Sequence, residues 1–97
     1  MSYFLIYKDA DVEVVGELYD DIVGGVVLNT EVEYFSLSTY KKFKVVWELI
    51  KQDLQQLGIE YALALPLDDK SIRWEEHWGF KDTGIIIEGH KLMRYEL

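Results

Sequence analysis

Residues 38–66, Ser38-Thr39-Tyr40 through Leu65-Pro66 (STYKKFKVVWELIKQDLQQLGIEYALALP), decide the fold. Tyr40, Phe43, Trp47, Ile50, Leu54 and Leu57 recur every three or four residues, which places them on one stripe of an α-helix. Ser38 or Thr39 can cap its start and Gly58 its end. The period then shortens to two. Ile59, Tyr61, Leu63 and Leu65 fall on one side and the small Ala62 and Ala64 on the other, predicting a strand over 59–65 with both faces covered, ended by Pro66.

Upstream, Glu31 to Leu37 sets Phe35 and Leu37 against Val32 and Tyr34 and reads as a strand. A strand, a long helix and a further strand form a right-handed crossover, so 31–37 and 59–65 should run parallel. Further back, Tyr3 to Tyr7 favours a strand, Asp9-Ala10-Asp11 a turn, and Val12 to Tyr19 a second strand. In that segment Val15, Leu18, Tyr19 and Ile22 have helical spacing, but Val12, Val14, Val15 and Gly16 weigh against a helix. Asp20-Asp21 marks a turn, Ile22 to Leu28 a short strand broken at Gly24-Gly25, and Asn29-Thr30 another turn. Downstream, Asp68 or Asp69 caps a shorter helix that runs to about Trp78 and is closed by Gly79. Ile85 to Ile87 and Leu92 to Leu97 form a hairpin about Glu88-Gly89-His90, with Met93, Tyr95 and Leu97 inward. The expectation is one α/β (α+β) domain over 1–97. Its mixed, mostly antiparallel sheet of five or six strands carries two helices in the order β-β-β-α-β-α-β-β.

Composition narrows the function. The 97 residues carry 18 acids against 10 Lys or Arg, a net charge of -8, with no cysteine, so a disulfide framework or Cys-based metal site is excluded. Residues 9–40 hold Asp9, Asp11, Glu13, Glu17, Asp20, Asp21, Glu31 and Glu33 and no Lys or Arg, which accounts for the whole excess. Such a segment repels a phosphate backbone, so nucleic acid is not an expected partner; the stretch reads as either a solubilising edge or, through 9–33, a surface for a basic protein. The apolar runs are short and no basic leader precedes one, so no membrane span or secretory signal is expected, and the protein should be cytoplasmic. His77 and His90 lack clustered ligands, and no metal site is expected.

Ser71-Ile72-Arg73-Trp74-Glu75-Glu76-His77-Trp78-Gly79-Phe80, followed by Lys81 to Gly84 and Gly89 to Leu97, resembles the GNAT superfamily of N-acetyltransferases. Ser71, Trp74, Glu76, Gly79 and Phe80 fall on the A, L/F, E, G and F positions of the family segment N-x-x-A-x-x-[LF]-Y-E-x-x-G-F. The likeness implies a reduced GNAT-like fold, with the family's first strand and one or two substrate-binding helices missing. It also implies acetyl-CoA as cofactor and acyl transfer to an amine. The Ser-Ile-Arg-Trp wording also resembles short GNAT-like proteins of tailed bacteriophages, whose place would be the host cytoplasm or the virion.

Three departures from the family stand out. The acyl-CoA loop, [QR]-x-x-G-x-[GA], is replaced by the glycine-free Tyr40-Lys41-Lys42-Phe43-Lys44-Val45-Val46, Glu75 stands at the family tyrosine, and Asp68 at the asparagine. Lys41, Lys42 and Lys44 lie in the first turns of the long helix, where the helix dipole disfavours cations. They are the candidate cofactor-binding residues, holding CoA phosphate by side-chain charge; otherwise the acidic stretch 9–33 folds across them or they are solvated. Glu33 and Glu31 resemble the family's general base and are the candidate catalytic residues. The competing reading is a non-catalytic interaction or virion-associated protein of bacteriophage type that binds a basic partner through its acidic N-terminal surface; separately, a self-pairing sheet edge would give a homodimer.

Overall fold

The chain alternates β-branched and aromatic residues before position 33 and again after 79, with helical periodicity between. The computed structural model describes residues 2–33 and 36–97. Strands β1 (Ser2–Lys8), β2 (Val12–Leu18) and β3 (Gly25–Val32) precede helix α1 (Leu37–Gln56). Strand β4 (Tyr61–Ala64), helix α2 (Asp69–His77), β5 (Lys81–Ile87) and β6 (His90–Glu96) follow, the expected order. They form one six-stranded sheet, β1-β2-β3-β4-β6-β5. Only β3 and β4 pair in parallel, as the crossover rule demands, and the other four pairings are antiparallel.

The expected turn at Asn29-Thr30, flanked by strands 22–28 and 31–37, is replaced by the single strand β3. Its inward residues Leu28, Thr30 and Val32 stand directly opposite Gly16, Val14 and Val12 of β2. That continuous register over a buried face outweighs the turn tendency of an Asn-Thr pair. The bend falls earlier, around Gly24 at φ 77°. Residues 34 and 35 of the expected strand lie outside the described residues. Ser36 caps α1, earlier than Ser38 or Thr39, its hydroxyl accepting from the Thr39 N–H at 3.1 Å. Likewise β5 begins at Lys81, ahead of the expected Ile85.

Both helices lie on one side of the sheet. Val12, Val14, Val26, Leu28, Ala62, Ala64 and Met93 point to that side and are buried with Phe43, Trp47, Ile50 and Leu54 of α1 and with Trp78 and Phe80. Each such large side chain contributes about 1.5–3 kcal/mol, and the small Ala62 and Ala64 leave room for the rings above them. Phe43 meets Trp74 and Trp78 with ring centroids 5.1 and 5.0 Å apart, so this tryptophan pair seals α2 to α1 and forms no exposed patch. The other face of β4 is not covered by a helix: Tyr61 and Leu63 are only half-buried. The expectation of a strand packed on both sides is corrected accordingly.

Candidate active cleft

Gly25, Val26 and Val27 pair with Tyr61, Ala62 and Leu63, and there the β3–β4 ladder stops. Gly25 is needed at this junction because a Cβ on it would lie 2.3 Å from the Tyr61 ring, whose hydroxyl donates to the Val23 carbonyl at 3.1 Å. Beyond it β3 continues to Val32 while β4 ends at Ala64 and the chain turns away at Pro66. The divergence opens a cavity of about 200 Å³ between Leu28 to Glu31 on one side and Leu65 to Leu67 on the other, with Ser71 and Glu75 of α2 at its wall. Leu28 and Thr30 reach it from the helix side of the sheet, Asn29 and Glu31 from the other. An adjoining cavity of about 420 Å³ is walled by Glu31, Glu33, Asp68, Lys70 and Glu75.

Glu75 is common to both cavities and also borders a small internal crevice with Leu28, Phe43, Trp47 and Trp78. Ser71, Glu75 and Trp78 follow one another at helical spacing, so the carboxyl is carried on the inward side of α2. Asp68 fixes the start of that helix by accepting from the Ser71 N–H at 2.7 Å. Gly79, at φ 101°, closes the helix and turns Phe80 into the core. Among the described residues the Glu75 carboxyl has no hydrogen bond or ion pair, and burial pushes its pKa up to about 7. A carboxylic acid poised near neutrality beside an open cleft can hold and release a proton at physiological pH.

The candidate bases Glu31 and Glu33 both line the larger cavity, together with Ser71 and Glu75 of α2. The three lysines are placed differently. Lys42 extends its ammonium to Asp9 at 2.9 Å and Asp11 at 3.0 Å, and its pKa is pushed up to about 12 by those two carboxylates. Asp9 also accepts from the Tyr7 hydroxyl and then from Lys42 and the Asp11 and Val12 N–H groups, which hold its pKa well below the usual carboxylate range. Part of the acidic stretch therefore folds across Lys42 and ties the β1–β2 turn to α1. Lys41 and Lys44 are exposed, make no ion pair among the described residues, and do not line the cleft. Lys42→Ala is expected to lower Tm by at most about a few degrees, since exposed ion pairs contribute little. Added salt should shrink the difference, and equal Tm values at low salt would show the bridge to be inert.

Glu75, which the sequence places at the family tyrosine as a departure, is not singled out there as a site residue. It was legible as the lone acid on the inward stripe Ser71–Glu75–Trp78, but not as a group without a partner. Among the described residues no group of three His, Asp or Glu could hold a metal ion, and no helix is long and apolar enough to cross a membrane.

No family model and no curated protein matches the chain. Among solved structures it is similar to a domain from Methanocaldococcus jannaschii, with a TM-score of 0.68 at 20% identity over 90% of this chain. It is also similar to a chain from Agrobacterium tumefaciens with the provisional assignment of acetyltransferase, with a TM-score of 0.60 at 12% identity over 99% of this chain. The architecture is a GNAT-like fold. The chain spans 56% of the length of the first relative and 74% of the second.

Proposed function

We propose that this domain transfers an acyl group from acyl-CoA to a primary amine, the observation that carries the reading being the β3–β4 divergence with Glu75 at its wall. Bound acetyl-CoA would supply a thioester whose carbonyl carbon is open to attack by an amine. The cleft fits an extended pantetheine arm, because the β4 side of β3 has no strand partner beyond Val27 among the described residues and leaves backbone groups to hydrogen-bond amides. Glu31 or Glu33, across the larger cavity from α2, would take the proton of the incoming amine, and Glu75 would deliver one to the departing sulfur. The phosphate end fits less closely. The first turn of α1 has no glycine, and the Ser36 cap already takes the Thr39 N–H, so phosphate would rest on the exposed Lys41 and Lys44.

Thermal denaturation with acetyl-CoA tests this. At 100 times its dissociation constant the ligand adds about 2.7 kcal/mol, a Tm rise of roughly 10 °C or more in a domain of this size. An unchanged Tm at millimolar acetyl-CoA would remove the cofactor from the reading.

The glycine-free turn favours a second reading, in which the fold serves binding alone and the acidic segment 9–33 engages a basic protein. Asp9 and Asp11 are committed to Lys42, so the exposed Asp20 and Asp21 would carry the contact. The two similar structures named above come from Methanocaldococcus jannaschii and Agrobacterium tumefaciens and lend no support to a bacteriophage origin.

A further inference from the structure

With both helices on one side, the opposite face of the six-stranded sheet is bare. The pairing registers place Tyr3, Glu17, Val27, Leu63, Arg94 and Lys81 in one row across β1, β2, β3, β4, β6 and β5. Each step in that row joins directly opposed residues, so all six side chains point to the same side, away from the buried Val26, Ala62 and Met93. Tyr3 and its face neighbour Leu5 are 66% and 60% exposed, and Val15, Val27 and Leu63 are half-buried for want of a cover. Its order is an acid on one flank, two aliphatic residues at the centre and two bases on the other flank.

From this we infer that the bare face binds a second copy of the chain, about a two-fold axis that runs along the strands between β3 and β4. That axis reverses the row upon itself. It sets Val27 of one copy against Leu63 of the other, Glu17 against Arg94, and Tyr3 against Lys81. The match is the self-complementarity an isologous contact requires: apolar residues meet at the centre and opposite charges at the flanks. Within one copy Glu17 accepts from Asn29 and Tyr19, and Arg94 pairs with Glu96 and stacks on the Tyr61 ring at 3.9 Å, so pairing across the axis adds to these contacts. The molecule measures 36 by 31 Å in its two long directions and 20 Å in the third. A face of that breadth can supply the roughly 800 Å² per partner of a standard interface. Stacked sheets lie about 10 Å apart, which suits the medium-sized side chains of the row. A basic protein would match the acidic flank alone, whereas a copy of the chain presents the opposite sign to each flank.

Sedimentation equilibrium of the whole chain across the micromolar range tests the inference. The expected result is reversible association to twice the 11.4 kDa protomer mass, weakening with added salt. Glu17→Arg and Arg94→Glu should each raise the dimer dissociation constant at least about tenfold, and the double exchange should recover most of the loss, since it restores the pairing with its sign reversed. Leu63→Glu should give a monomer with unchanged far-UV circular dichroism. A monomer throughout, or a dimer indifferent to Leu63→Glu and to both charge reversals, would overturn the inference. Acyl-CoA binding enters none of these readouts.

Discussion

Glu75→Gln is expected to slow acyl transfer to a primary amine by about 10²- to 10⁴-fold, while the rise in Tm with acetyl-CoA stays as large as in the wild type. Glutamine keeps the shape of the side chain and cannot donate an acidic proton. In the wild type the donor form is the neutral acid, so the rate should fall as pH rises through about 7, the value to which burial pushes this carboxyl. The variant should lose that alkaline limb. A variant as fast as the wild type, with the same pH profile, would remove Glu75 from the reaction and leave cofactor binding untouched.

The same residue sets a stability profile that needs no substrate. Its folded pKa of about 7 lies above the ordinary 4.5, so between those values the folded state holds the proton and the unfolded chain releases it. The contribution is complete below about pH 4.5 and is lost as pH rises through 7. At 1.36 kcal/mol per unit the loss is on the order of 3 kcal/mol. Urea denaturation at pH 5 and pH 8 should show the wild type weaker at the higher pH, and Glu75→Gln less dependent on pH and the more stable of the two at pH 8. A wild type equally stable at both would mean that the carboxyl is hydrated.

How far the sequence disclosed this arrangement differs from element to element. The α1 stripe of Phe43, Trp47, Ile50 and Leu54 was legible because helical periodicity is a local property that burial then exploits, and all four are buried. Leu57 continues the pattern but is exposed, since α1 ends at Gln56 with Leu57 as its C-cap, and periodicity carries no information about where a helix leaves its partner layer. The parallel crossover was legible from element order, yet its register was not. Which residues of β3 meet β4 depends on continuous pairing with β2, a non-local fact that the Asn29-Thr30 turn signal masks. Glu31 and Glu33 were found through family resemblance and do border the larger cavity. The contact of Lys42 with Asp9 and Asp11 spans 31 to 33 positions of chain, and charge counting could suggest it but not choose among three lysines. The bare sheet face was hidden for a related reason: alternation in β4 shows two apolar sides without showing that both helices settle on one.

Trp47→Ala should destabilise the fold by about 3–5 kcal/mol, a large share of the 5–15 kcal/mol typical of a domain. Trp47 is 4% exposed, lies 5.7 Å from Phe80 and meets Tyr95 edge-on at 5.3 Å by ring centroids. Truncation would leave a cavity beneath α1 that the rigid sheet cannot close. Trp47→Phe should cost much less, because among the described residues the buried indole Nε1–H has no hydrogen-bond partner. Phenylalanine removes that unsatisfied donor, whose burial costs about 1–3 kcal/mol, and so offsets part of the lost ring volume. Chemical denaturation separates the two variants, and equal losses would mean that the indole N–H is satisfied in solution. Trp47 also borders the crevice that Glu75 faces, so the cavity in Trp47→Ala should admit water toward that carboxyl and return its pKa toward the ordinary range. At a temperature where that variant is still folded, its stability should fall less between pH 5 and pH 8 than the wild type's. Trp47→Phe should keep the full slope, since the aromatic packing that excludes water from α2 also holds the proton on Glu75.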